Sequence, residues 1–135
     1  MDDCLFCSIV GGEIPAEIVA EDERTITLMD ISPATPGHAL VIPREHATDL
    51  YEISESDLSA CVIAAKRAAL LARERLGADG VNLLNSCQAH AWQSVFHFHI
   101  HVIPRYIGDP LQLPWLPQAG DAASVAHSAA LLRGD

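Results

Sequence analysis

The stretch VFHFHIHV, residues 95–102, alternates apolar and imidazole side chains. Alternation with a period of two is the pattern of a β-strand, in which residues i, i+2 and i+4 share one face. Phe98, Ile100 and Val102 then fill a core face, and His97, His99 and His101 form one row about 6.7 Å apart. The chain has only seven histidines, and Thr, Lys or Glu would solvate a strand face equally well. Three imidazoles in register therefore point to chemistry more than to accident.

Working outward, GVNLLN (residues 80–85) reads as a partner strand, joined through the loop SCQAHAWQ (residues 86–93). RTITLMD (24–30) and HALVIP (38–43) read as two further strands, and ISPATPG between them is rich in turn formers, suggesting an antiparallel pair. Ser54 with Asp57 three residues later opens an Ala- and Leu-rich helix from about Glu55 to Leu76 that Gly77 can close. Leu58, Cys61, Ala65, Ala68 and Ala72 form its apolar stripe, with Lys66, Arg73 and Glu74 off it. The order β-β-α-β-β predicts an α+β fold on an antiparallel sheet. After Tyr106 the proline-rich IGDPLQLPWLPQAG and a short helix in AASVAHSAALLRG suggest an arm over 107–135, packed on the 1–106 domain or partly mobile.

A length of 135 residues suits one domain, and 50% apolar with 19% charged residues is an ordinary globular balance. A net charge of −10, with no basic stripe, argues against a general nucleic-acid binder. A small anionic ligand remains compatible if local donors compensate it. The opening MDDCLFC has no signal-peptide pattern, and no apolar run approaches the ~18 residues of a membrane span. The expectation is a cytoplasmic protein, with no membrane partner, whose Cys4, Cys7, Cys61 and Cys87 are thiols or metal ligands rather than disulfides.

QSVFHFHIHVIPR (93–105), DISPATPGHALVIPREH (30–46) and CLFCSIVGGEIPAEIV (4–19) closely resemble the histidine-triad (HIT) family of nucleotide hydrolases and transferases, its Hint-type bacterial branch in particular. The resemblance implies a five-stranded antiparallel sheet with one long helix and a short helix, dimerising into a ten-stranded sheet. It implies that His99 attacks the α-phosphorus of a purine nucleotide, expels an amine or a nucleoside phosphate, and forms a covalent nucleotidyl-histidine that water resolves. His101 would hold phosphoryl oxygens or assist proton transfer. Histidine at that last position, rather than glutamine, favours hydrolysis within the family. Asn85, Gln93 and Ser94 match family donors to the phosphate, and no metal takes part in the chemistry.

Asp30 matches the family's ribose-binding acid, or it is a plain Asx-turn residue. Leu5, Phe6, Ile9, Met29 and Ile31 match the base pocket, a role compatible with ordinary core packing. Zinc-containing bacterial relatives bind a structural zinc at the positions of Cys4, Cys7, His46 and His97. Free thiols are the alternative, and His46 acts in proton relay in metal-free relatives. No organic cofactor is expected. Cys61 reads as helix core, Cys87 as a loop thiol, His38 as a structural residue, and His90 and His127 as surface.

Two departures stand out. Gln88 and Trp92 occupy loop positions where many relatives have glycine, and Trp115 resembles a tryptophan that approaches the partner's active site in Hint-type dimers. Nucleoside phosphoramidate hydrolysis is the leading expectation. Dinucleoside polyphosphate hydrolysis and a nucleotide-binding regulatory or scaffold role are the alternatives.

Overall fold

Ser54 accepts a hydrogen bond from the Asp57 N–H, Glu55 and Asp57 lie in the first turn, Arg73 and Arg75 lie in the last, and Gly77 adopts φ 69°. Each feature complements a helix end or its dipole. In the computed structural model, which describes residues 4–135, they bound the 22-residue helix α2 (Glu55–Leu76). The first three residues of MDDCLFC lie outside the described residues.

The sheet comprises β1 (Ile18–Glu21), β2 (Thr25–Met29), β3 (Ala39–Pro43), β4 (Gly80–Leu84) and β5 (Ile100–Arg105), and helices α1 (Leu5–Val10) and α3 (Ala122–Arg133) lie near the two chain ends. Strand order is β1-β2-β3-β5-β4, antiparallel throughout, as expected for the fold. The alternation within β3 divides the core. Ala39 and Val41, with Phe98, Ile100 and Val102, pack against Cys61, Ala64 and Ala65 of α2. Leu40 and Ile42, with Ile26 and Leu28, face Phe6 of α1. Both faces of the central strands are therefore covered.

The structure corrects the reading of residues 95–102. The ladder of β5 begins at Ile100, not Val95, and His101 alone of the three histidines lies within it. The strand pairs with β3 only across Ala39↔Val102, Leu40↔His101 and Val41↔Ile100. Before that, the Phe98 N–H goes to the Ala47 carbonyl at 2.7 Å and the His97 ring to the Pro43 carbonyl at 2.8 Å. Regular pairing is thus diverted to the segment that follows β3. Phe98 still faces the α2 side as the alternation requires, but His97 is fully buried rather than solvated.

The residue patterns located neither α1 nor the edge strand β1, although the family resemblance implies a fifth strand. The helix α3 is capped by Asp121, which accepts from the Ser124 N–H at 3.0 Å, and it buries none of its residues. No helix among the described residues is long and apolar enough to cross a membrane.

Candidate active site

The backbone just before β5 carries His99, a residue 6% exposed. Its Nδ1 lies 2.8 Å from the His97 carbonyl. A carbonyl can only accept, so Nδ1 carries the hydrogen and, in the neutral ring, Nε2 holds a lone pair. Burial pushes the His99 pKa below its ordinary value, against smaller opposing effects of the His97 carbonyl and Asp30. Phe6 approaches the ring edge-on, with centroids 5.2 Å apart. The tautomer and charge state both suit a nucleophile.

A second set of bonds fixes His101. The Ala34 N–H donates to His38 Nδ1 at 2.9 Å, so His38 Nε2 must carry that ring's hydrogen. His38 Nε2 lies 2.9 Å from His101 Nδ1 and donates to it. In neutral His101 the remaining hydrogen therefore sits on Nε2, making that atom a donor. Burial, with the neighbouring His99 and His38, pushes the His101 pKa down to about 4, although Asp30 pulls upward. Asp30 Oδ2 stands 3.4 Å from His38 Nε2 and 3.8 Å from His101 Nδ1. Asp30, His38 and His101 form a trio of metal-type donors, but a protonated Nε2 on His38 has no lone pair to offer a cation.

These groups border a cavity of about 680 Å³, a size suited to a nucleotide-sized ligand. Its walls include Leu5, Phe6, Ile9, Met29, Asp30 and Ile31, with Ser94, His99 and His101 beside them. Ile31 is 96% exposed at the mouth, so it serves no core. Asp30 Oδ1 accepts from the Ser32 N–H at 2.8 Å, an Asx-type bond that leaves Oδ2 for a ligand or His38.

Two expected phosphate donors are placed elsewhere. Gln93 is buried and absent from the cavity wall. Its Nε2 donates to the carbonyls of Thr48 at 2.7 Å and Val95 at 3.2 Å, and its Oε1 accepts the Gln88 N–H at 2.7 Å. Both amide hydrogens are consumed by protein. Asn85 also lies off the wall and donates from Nδ2 to the His99 carbonyl at 2.9 Å, steadying the backbone at His99. Its Oδ1 is buried without a partner.

On the far side of Phe6 lie Cys4, Cys7, His46 and His97, with ligand atoms all within 4.8 Å of one another. Cys4 Sγ–His97 Nδ1 is 3.4 Å, Cys7 Sγ–His46 Nδ1 3.4 Å, Cys7 Sγ–His97 Nδ1 3.5 Å and His46 Nδ1–His97 Nδ1 3.2 Å. Tetrahedral zinc with bonds of roughly 2.0–2.3 Å has ligand–ligand edges of about 3.3–3.8 Å. His97 Nε2 donates to the Pro43 carbonyl, leaving Nδ1 unprotonated and directed at the cluster. The residues present fit a Cys2His2 zinc.

His38, which the sequence suggested was only structural, stands in the candidate site. Locally PGHAL looks like a turn entering a strand; only the β3–β5 register brings His38 to a residue 63 positions away. Cys61 is fully buried in α2 as expected, and His90 and His127 are exposed.

The HIT domain family pattern matches residues 11–108. The chain is 40% identical over 121 residues to Protein hit of Bacillus subtilis, covering 89% of this chain and 83% of that one. A zinc-bound histidine triad family protein from Mycobacterium smegmatis superposes with a TM-score of 0.80 at 38% identity, covering 98% of this chain and 97% of that chain. A histidine triad nucleotide-binding protein from Candida albicans gives a TM-score of 0.84 at 29% identity, covering 98% and 96%. With that match across most of its length, the chain belongs to the HIT family.

Proposed function

We propose that this protein is a nucleotide hydrolase acting on purine nucleoside phosphoramidates or related nucleotidyl substrates. The observation that carries the reading is the tautomer of His99, whose Nδ1 is committed to the His97 carbonyl while the ring borders the cavity. His99 Nε2 forms a bond to the α-phosphorus as the P–N bond to the leaving amine breaks. His101 Nε2–H donates to the departing nitrogen, and the bond from His38 keeps that hydrogen in place. Water then displaces the histidine from phosphorus, one of its protons passing to His101 Nε2 to replace the one given to the amine, and both rings return to their starting neutral state. Ser94 at the cavity wall donates to the phosphoryl oxygens, and Asp30 Oδ2 accepts from ribose hydroxyls. The base lies between Phe6, Ile9, Met29 and Ile31, a sandwich with little base readout.

Cys4, Cys7, His46 and His97 hold a structural zinc in this reading, which the zinc-bound relative supports. The metal neutralises two thiolates and clamps the N-terminal segment to the sheet, away from the bond-making step. A second copy pairs along the edge strand β4, giving a ten-stranded sheet. Exposed Val62, Ile63, Leu70, Leu83 and Leu84 on α2 and β4 support that partner. The cytoplasm is the proposed location, and 107–135 an arm on the 1–106 domain.

Incubation with adenosine phosphoramidate and diadenosine polyphosphates in parallel tests the reaction. Release of adenosine monophosphate from the phosphoramidate, lost in His99→Ala, is expected. Nucleotide affinity with negligible turnover in both proteins overturns it in favour of a binding role, and preference for the dinucleotides reassigns the substrate. About one zinc per chain, lost in Cys4→Ser, is expected by metal analysis; equal metal in both removes the zinc assignment.

A further inference from the structure

Gln88 adopts φ 79° and ψ 153°, a region almost reserved for glycine. Trp92, at φ 77°, closes the short turn Ala89–Ala91 that Gln88 opens. The loop leading into Ser94 and the histidines is therefore bounded by two side chains where a glycine would relax the backbone. Something must hold it.

The holding contacts form a ladder. From 46 to 49, successive residues each reach across to this loop or to the segment after it. His46 Nδ1 meets His97 Nδ1 at 3.2 Å, the Ala47 carbonyl takes the Phe98 N–H at 2.7 Å, and the Thr48 carbonyl takes Gln93 Nε2 at 2.7 Å. Asp49 Oδ2 takes Gln88 Nε2 at 2.5 Å. The ladder carries the contact of β3 and β5 past the end of their regular pairing. Asp49 is 5% exposed, and its other oxygen accepts the Glu52 N–H. Gln88 in turn gives its own N–H to Gln93 Oε1, and Gln93 Nε2 binds the Val95 carbonyl. Ser94 is thus held on both sides, by Gln93 before it and Val95 after it, and it stands exposed at the cavity wall.

We infer that Asp49 and Gln88 are positioning residues: their side-chain bond clasps a strained loop so that Ser94 stands at the phosphoryl end of the cavity beside His99. The catalytic consequence rests on the nucleotidyl-transfer reading, whereas the clasp itself does not. Neither residue touches the cavity, so each acts through Gln93 and the backbone of Ser94.

Gln88→Gly and Gln88→Ala separate this role from a structural one. Glycine removes the strain and the clasp together; alanine removes the clasp and keeps the strain. The expected result is that kcat for adenosine phosphoramidate falls about ten- to hundred-fold in both variants with KM within about two-fold. Thermal stability diverges, unchanged or raised in Gln88→Gly and lowered in Gln88→Ala. Asp49→Ala should reproduce the kcat loss. A kcat that follows stability, with Gln88→Gly equal to the parent, overturns the inference. Hydrogen exchange across residues 86–95 supplies a readout independent of turnover, and faster exchange is expected in all three variants. If the parent protein shows no turnover, the proposed reaction fails while exchange still decides the clasp. Unchanged exchange in Gln88→Gly and Asp49→Ala overturns it.

Discussion

Replacing His38 by alanine removes the group that decides which nitrogen of His101 carries a hydrogen. In the native protein the order runs from the Ala34 N–H to His38 Nδ1, then from His38 Nε2–H to His101 Nδ1, each step 2.9 Å. A hydrogen bond of this kind has a net worth of about 0.5–1.5 kcal/mol. As a bias between the tautomers of His101, that corresponds to a factor of roughly 2–13 in their ratio, which between two otherwise equal tautomers is a loss of up to about two-fold in the form able to donate from Nε2. The larger part of the cost comes from the ring losing its neighbour on one side, since a misplacement of about 1 Å at a reacting group costs up to about a hundred-fold. We expect kcat to fall about ten-fold or more for phosphoramidates of basic amines, which must leave with a proton. The penalty should shrink as the leaving amine becomes less basic, because such a group departs with less help. A series of adenosine phosphoramidates differing only in the amine measures this directly. The double variant His38→Ala/His101→Ala should be no slower than His101→Ala, since both changes act on one donor. Equal penalties for every leaving group, or effects that multiply in the double variant, refute the argument.

Stability should depend on pH through the same ring. With a folded pKa of about 4 and an ordinary value of 6.5, His101 binds its proton more readily in the unfolded chain. Its contribution is therefore complete above about pH 6.5, is lost as pH falls toward 4, and is constant below that, spanning at most about 3 kcal/mol. This window lies above the one in which Asp22 and Asp121, whose carboxyls are held below 3.8, lose theirs. Urea unfolding at pH 7.5, 5.5 and 4.5 should show the loss, and His101→Gln should make it smaller, leaving the share of His38, His97 and His99, whose pKa values burial also lowers; parallel pH profiles for the two proteins contradict the assignment. Gly37→Ala tests the backbone that delivers His38. Gly37 has φ 87°, and an added Cβ would meet Leu76 Cδ1 and come within 3.3 Å of Pro104 Cγ. Strain and crowding together should cost about 1–3 kcal/mol and lower the Tm by at least about 4 °C; a Tm within a degree of the parent contradicts it.

What the sequence disclosed and what it concealed divide along the range of the forces involved. Helix α2 was legible because its signals are local: Ser54 and Gly77 at the ends and an apolar stripe between. Runs such as HALVIP reveal strands for the same reason. The helix α1 has only six residues, too few for propensity to decide, and it exists because Phe6 packs under the sheet and Cys4 caps the Cys7 N–H. The strand β1 is exposed along its length and is defined by pairing with β2. In the site, Asp30 and the apolar residues named from the family resemblance line one cavity. His38 escaped because its meaning depends on a partner across the sheet. Gln93 was misplaced for the opposite reason: its type and position suit a phosphate donor, yet its hydrogens are taken by the Thr48 and Val95 carbonyls.

The alternation in VFHFHIHV was legible, but the environment on its second face was not. A row of histidines on an ordinary half-buried strand would meet water and would be partly protonated near neutral pH. Here α1 covers that face, with Phe6 edge-on to both His97 and His99 at 5.8 and 5.2 Å. Burial is the largest cause of the lowered pKa in all three rings, so the cover favours the uncharged form of His99. Phe6 lies between Cys4 and Cys7, and those thiols meet His46 and His97 at the cluster. The helix that supplies Cys7, with Cys4 as its N-cap, therefore also supplies the ring shielding His99. Anchoring that helix and keeping an imidazole neutral are one structural task here, so in the proposed reaction a cation at the cluster would support the chemistry without touching phosphorus.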